Sequence, residues 1–418
     1  MNQFEVAFRG FRRCLVAVPL PIIALMLYLG LRSSTILPYG LHQVNGIYHP
    51  AYFGWYDFVL AYSIVFSFFT GSLQLKIKDL LPVLVGFCII SISWISTYEA
   101  DRTFIIAGLI CFCRFAIVFV LGKALVRKLG YRTAENILLA LYGILAVSAV
   151  LWYSIQFGGV QNRMAASAMT SASFGQVSAI MCLIFYARKY YSALFFSFIF
   201  LFLSFSRTSL LLFLLLIFIQ NRRLIPLNLI KYVVGFVFLV IIGVMLMQQY
   251  GGEQTQVVLE SRLSMEEVSN LNGRSEIWSI AIDQIEKGEV PWTGVGFHMT
   301  PSLIKDTNLK FIQYHDVGYF IPSHYHNMLI EYTLSLGVLA LIIFLFLITR
   351  IWQTFRLNCC PAFYIYAFFF FSQAMDYTIF APKETVIFAI MLGLAEGQFE
   401  FQRAKSCQLK ISSSPASV

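Results

Sequence analysis

Three arginines and a histidine pair are the residues of this 418-residue chain whose type and setting fit group-transfer chemistry. Arg163 lies in QNRMAASAMTSAS, Arg207 in SFSRTSL and Arg274 in NGRSEIW, each beside an apolar run where a charge is costly without a partner. A guanidinium binds phosphate oxygens through a fixed bidentate fork and stays charged in a partly dry site, so converging arginines suit a diphosphate. Snorkelling to lipid headgroups is the competing account. In SHYHNMLIEYTLSLG, His326 is followed by Asn327 and, ten residues after the asparagine, by Gly337. A neutral imidazole at a membrane surface can take a proton from a sugar hydroxyl near pH 7. His324 can assist or line the site, and Trp278, Trp292 and Tyr325 are candidates to stack on sugar faces.

These residues need elements to hold them, and the composition says which. Hydrophobic residues make up 59% of the chain and charged ones only 12%, too apolar for a soluble domain of this length. We therefore expect an all-α polytopic membrane protein. Windows long enough to cross about 30 Å of hydrocarbon fall near 14–31, 51–70, 80–98, 103–122, 137–157, 168–187, 190–206, 208–220, 230–249, 327–349, 361–380 and 384–399, about twelve transmembrane helices. The stretch 190–220 is divided because a single helix would strand Arg207 at its middle. Lys and Arg concentrate on one set of loops, which puts both termini in the cytoplasm and the candidate residues on the outer face. Helices 1–9 occupy 1–249, the large outer loop 250–325, and helices 10–12 with a short cytoplasmic tail 326–418. That loop has helical periodicity over 257–268 and 274–286, the second ending at Gly288 and Pro291. The net charge of +9 reports orientation in a membrane protein, so nucleic acid is set aside as a partner. The eight cysteines show no CxxC spacing, and no DxD motif offers a metal site.

The series SRTSLLL, NGRSEIW with PWTGVGF, and HYHN with its later glycine resembles the O-antigen ligase and Wzy-type polymerase superfamily, over roughly residues 160–345. The resemblance implies a GT-C-like fold in the bacterial inner membrane. It implies transfer of a glycan from undecaprenyl diphosphate, without metal or other cofactor, at the periplasmic face. Carried over residue by residue, Arg207 and Arg274 engage the diphosphate, with Arg163 a looser third, and His326 acts on the acceptor. His324, Asn327, Trp278 and Tyr325 are then contacts to acceptor or sugar. Compactness and the HxHN form favour a ligase acting on lipid A-core, while a polymerase using a lipid-linked glycan as acceptor remains the alternative. A polysaccharide transporter is the rival of another class, because Asp57, Arg114 and Asp376 are polar groups within apolar segments.

Overall fold

The computed structural model describes residues 19–30, 35–37, 53–69, 73–74, 76–95, 102–155, 171–204, 206–221, 274–300, 303, 312–314, 318–320, 325–379 and 382–413. Helices in chain order are α1 (Pro19–Gly30), α2 (Trp55–Phe69), α3 (Ile77–Ile95), α4 (Arg102–Leu129), α5 (Tyr131–Ile155) and α6 (Ser171–Arg188). They continue as α7 (Tyr191–Leu203), α8 (Arg207–Asn221), α9 (Arg274–Glu286), α10 (Met328–Leu336), α11 (Ala340–Arg356), α12 (Cys360–Met375) and α13 (Pro382–Ser413). Two small antiparallel hairpins lie in the connections: β1 (Thr35–Leu37) with β2 (Phe53–Gly54), and β3 (Ile312–Tyr314) with β4 (Gly318–Phe320). Helices stand at every expected span except 230–249, which lies outside the described residues, as does the expected helix 257–268. The stretch 190–220 is broken at Ser204, so Arg207 opens a new helix instead of lying within one.

This is a helical membrane protein. Ile77–Ile95, Ile105–Leu129, Tyr131–Leu151 and Met328–Arg356 are each long and apolar enough to cross a bilayer. Large apolar side chains along α3 and α11, such as Leu84, Phe87, Leu341 and Leu345, are exposed, a surface that water would not tolerate and acyl chains would. The core is built on α6, buried from Ser173 to Phe185, and on α12, buried from Pro361 to Phe369. Helix α13 lies along α4 at backbone contact. A Cβ on Gly393 would meet the Phe119 carbonyl oxygen at 2.2 Å, and one on Gly397 would meet Val126 Cβ at 2.8 Å. The GxxxG of residues 393–397 thus closes a helix pair within the chain.

Several charges in the apolar segments are paired. Arg114 Nε donates to Asp57 at 2.7 Å, and Tyr28 Oη donates to the same carboxylate at 3.2 Å. Arg350 makes a fork to Glu396 at 2.8 and 2.7 Å, Tyr366 donates to Glu396 at 2.6 Å, and the guanidinium stacks on Phe346 and Phe399. Asp79 is held by Lys123 and Arg127. Such pairing is what low dielectric demands of a buried ion, and it accounts for Asp57 and Arg114 without a conduit.

Candidate functional site

The PWTGVGF segment and α10 are locked by mutual backbone approach, and this explains the glycine spacing. Gly337, at φ +57°, ends α10, and a Cβ there would lie 2.0 Å from the Trp292 carbonyl oxygen. Gly294, at φ +79°, would place its Cβ 2.4 Å from the Ser335 carbonyl. Only glycine admits both the conformation and the contact. With side chains out of the way, Val338 N donates to Trp292 O at 2.9 Å, Val295 N to Leu334 O at 2.8 Å and Gly296 N to Ser335 O at 3.0 Å. The far side of the segment is tied to α3, where Trp94 Nε1 donates to Phe297 O at 2.9 Å and Phe297 N donates to Ser93 Oγ at 3.2 Å.

The start of α10 is fixed in the same way. Asn327 is its N-cap, the side-chain oxygen accepting from Leu329 N and Ile330 N at 2.8 and 3.2 Å. Buried Glu331 accepts from Tyr325 N at 3.1 Å and from the Thr300 hydroxyl. Helix α9 packs alongside through Ile277 and Ala281 against Tyr325 and Leu334. Trp278 Nε1 donates to Tyr325 O at 2.8 Å, and Tyr325 Oη donates to Gln284 Oε1 at 2.9 Å. Burial first, and the Glu331 carboxylate second, push the Tyr325 phenol well above its ordinary pKa, so it stays a donor. These contacts correct one expectation: Tyr325 is completely buried and braces the loop, leaving no face for a sugar. Trp278 is half-buried, whereas Trp292 is 75% exposed on a hydrogen-bonded backbone.

Between these braces sits His326. Its backbone is left-handed, φ +54°, a strained setting for a side chain of this size, and its carbonyl accepts from Tyr377 N at 3.2 Å. Asp376 Oδ1 lies 3.9 Å from His326 Nδ1, too far for a direct hydrogen bond. The turn carrying Asp376 is set by two buried glutamines. Gln176 Nε2 donates to Asp376 O at 3.0 Å, while its Oε1 accepts from Gln373 Nε2 and Thr378 Oγ1, each at 2.9 Å. Gln373 Oε1 in turn accepts from Thr378 N at 2.8 Å and Ile379 N at 3.2 Å. A buried amide network with its partners in place has one low-energy geometry.

The residue before Gln176 reaches the other candidate. A Cβ on Gly175 would lie 2.5 Å from Ser204 Oγ and 2.6 Å from Ser206 Cβ, so the turn that precedes Arg207 rests on α6. Successive residues near the start of one helix therefore seat the Arg207 turn and the turn behind His326 at one level of the bundle. Arg207, exposed, is the first residue of α8, and Arg274 is the first residue of α9, one turn before Trp278. A cation at a helix N-terminus is opposed by the helix dipole, whereas an anion bound there is attracted by both the guanidinium and the first-turn amides. Arg163 and His324 lie outside the described residues. Asp376, Gln176, Gln373 and Glu331 were not among the expected site residues. A lone carboxylate such as Glu331 or Asp376 in an apolar run was the available signal.

Residues 192–345 match the family model described as O-antigen ligase. The resemblance read from the sequence motifs thus holds by an independent comparison over that stretch, which contains Arg207, Arg274, His324, His326 and Asn327. The match implies ligase- or polymerase-type glycan transfer with a lipid-linked glycan. No curated protein matches the chain.

Proposed function

We propose that this protein is an O-antigen ligase that moves a glycan from undecaprenyl diphosphate to lipid A-core at the periplasmic face of the bacterial inner membrane. The same reading includes about twelve spans in a GT-C-like arrangement, with 250–325 as the outer loop between helices 1–9 and 10–12, and both termini in the cytoplasm. The observation that carries it is the pairing on α6, where Gly175 seats the Arg207 turn and Gln176 seats the turn of Asp376 behind His326.

A lipid diphosphate is already a good leaving group, so catalysis needs charge stabilisation and alignment more than bond activation. Arg207 and Arg274, with the first-turn amides of α8 and α9, take the charge that grows on the diphosphate, and Arg163 adds to them. His326 removes the proton from the acceptor hydroxyl as its oxygen attacks the anomeric carbon from the face opposite the diphosphate. The C–O bond to the diphosphate breaks with its electron pair, and the anomeric configuration inverts. Asp376 stabilises the imidazolium, as a carboxylate behind a catalytic histidine does. His324, Asn327 and Trp278 contact acceptor or sugar in this scheme.

The test reconstitutes purified protein with an undecaprenyl diphosphate-linked glycan in chelator, with and without lipid A-core, and resolves the products by size. Transfer that requires lipid A-core supports the ligase. A lengthening lipid-linked ladder without lipid A-core replaces it with the polymerase, and absence of both products removes the glycosyl-transfer reading.

A further inference from the structure

Met328–Arg356, 29 residues, would be about 43 Å long as one straight helix, well beyond about 30 Å of hydrocarbon. It is not straight. The Tyr332 ring stacks on Phe344 with centroids 6.3 Å apart, whereas in a continuous helix the two residues would stand about 18 Å apart on different faces. The chain therefore folds back at Gly337, whose φ +57° and ψ −137° interrupt the helix.

Both ends of α10 are tied to the same end of the α11–α12 pair. Its last residue leads through a 3₁₀ turn, Gly337–Leu339, into α11. At its start the His326 carbonyl accepts from Tyr377 N just beyond α12, and the Tyr332 ring meets Tyr377 edge-on at 5.8 Å. Helices α11 and α12, about 25 and 24 Å long, are joined at their opposite end by a tight turn in which Cys359 N donates to Thr354 O at 2.9 Å. Helix α10 thus lies crosswise over the pair instead of extending it.

Exposed tryptophans mark two levels along α11. Trp352 is 59% exposed and has the Arg356 guanidinium 5.7 Å from its ring centroid. At the other end, the carbonyl of exposed Trp292 accepts from Val338 N at 2.9 Å. Val338, Leu341, Leu345 and Ile348 are exposed between these levels. The rise from Val338 to Arg356 is about 28 Å, one hydrocarbon thickness. Tryptophan favours the headgroup zone at both boundaries of a bilayer. Helix α9, packed on α10 through Ile277 and Ala281, adds a second apolar strip: Ile282 and Ile285 are 52% and 45% exposed one turn apart, beside exposed Asp283 and Glu286. A helix outside the hydrocarbon with such an apolar edge suits a lipid surface.

We propose that this layer is a membrane-surface contact in which Trp292, with Ile282 and Ile285 of α9, enters the headgroup zone while α10 lies parallel to the bilayer at that level. The occupant is the lipid surface because the layer continues, through Trp292 and Val338, the lipid-facing stripe of α11. Trp292 is thereby assigned to lipid and not to a sugar face. His326, at the start of α10, is held at headgroup height, the level at which a lipid-linked diphosphate carries its charge. The contact itself does not depend on the proposed reaction.

The test reconstitutes the full chain and its Trp292→Phe variant in phosphatidylcholine vesicles carrying bromine, a contact quencher of indole, near either the carbonyl end or the methyl end of the acyl chains. The emission lost on substitution, read as the difference between the two proteins, should fall at least about twofold with carbonyl-end bromine and change little with methyl-end bromine. Trp352→Phe should show the same depth dependence, because the two residues mark opposite boundaries of one span. Emission from Trp292 that bromine reduces at neither depth places the indole in water and overturns the proposal. Stronger quenching by methyl-end bromine places it in hydrocarbon and overturns the boundary at Val338. A response to added glycan without any response to bromine returns Trp292 to sugar stacking and also overturns it.

Discussion

Gly337→Ala should detach the 291–297 segment from α10 while leaving the bundle intact. The added Cβ would sit 2.0 Å from Trp292 O and 2.5 Å from Gly294 N, both backbone atoms, so the segment must retreat by more than about 1 Å to restore ordinary contact. That displacement takes the bonds Val338 N to Trp292 O, Val295 N to Leu334 O and Gly296 N to Ser335 O beyond hydrogen-bond range. At about 1 kcal/mol net each they sum to about 3 kcal/mol. A side chain at φ +57° and ψ −137° adds about 1–3 kcal/mol, since that region is open almost only to glycine. The total is about 4–6 kcal/mol, enough to raise local opening by about three orders of magnitude or more. Hydrogen exchange in detergent reads this directly at the amides of Val295, Gly296 and Val338. Gly288→Ala is the control, because φ is +71° there but nothing lies within 4 Å, so only about 1–2 kcal/mol of backbone strain applies. Protection in Gly337→Ala within tenfold of the parent would refute the account of the glycine spacing.

Three further outcomes follow from named contacts. His326→Ala should lower glycan transfer by about 10²–10⁴-fold and Asp376→Asn by a smaller factor expressed in kcat more than KM; near-normal turnover in His326→Ala sinks the general-base assignment. Arg207→Lys keeps the charge and loses the fork, so transfer should drop at least about tenfold with the Tm unchanged, and full activity would remove Arg207 from the diphosphate site. Arg350→Ala leaves Glu396 buried beside Tyr366 and should cost about 3–5 kcal/mol of stability, part of it recovered by adding Glu396→Gln; an unshifted unfolding temperature would show that the pair is not the buried charge it resembles.

The helices were legible in the sequence because apolar runs of span length are long and bounded by basic residues, and α9 was legible because its apolar period ends at Gly288 and Pro291. The turn at Ser204 was legible from the cost of Arg207 inside an apolar run. What could not be read was contact between distant segments. Tyr325 looks like a sugar platform by type and neighbourhood, yet its ring is enclosed by α9 and its hydroxyl is spent on Gln284, 41 residues upstream. Gln176 and Gln373 carry no chemistry that a motif would mark, and their role exists only because residues nearly 200 positions apart share one network.

That network changes how the histidine should be regarded. His326 does not rest on its own helix alone. Asn327 caps α10, but the strained His326 backbone is also held from outside by Tyr377 N, and the adjoining Asp376 is positioned by α6. The arginine turn rests on the neighbouring residue of that helix, where Gly175 leaves room for Ser204 and Ser206. Alanine at Gly175 would push the Arg207 turn away without touching His326, whereas leucine at Gln176 would release Asp376 without touching Arg207. The two ends of the proposed glycosyl-transfer site can thus be disturbed separately through adjacent positions of one buried helix. A motif scan across residues 192–345 would miss that coupling, because both positions lie before the matched stretch begins.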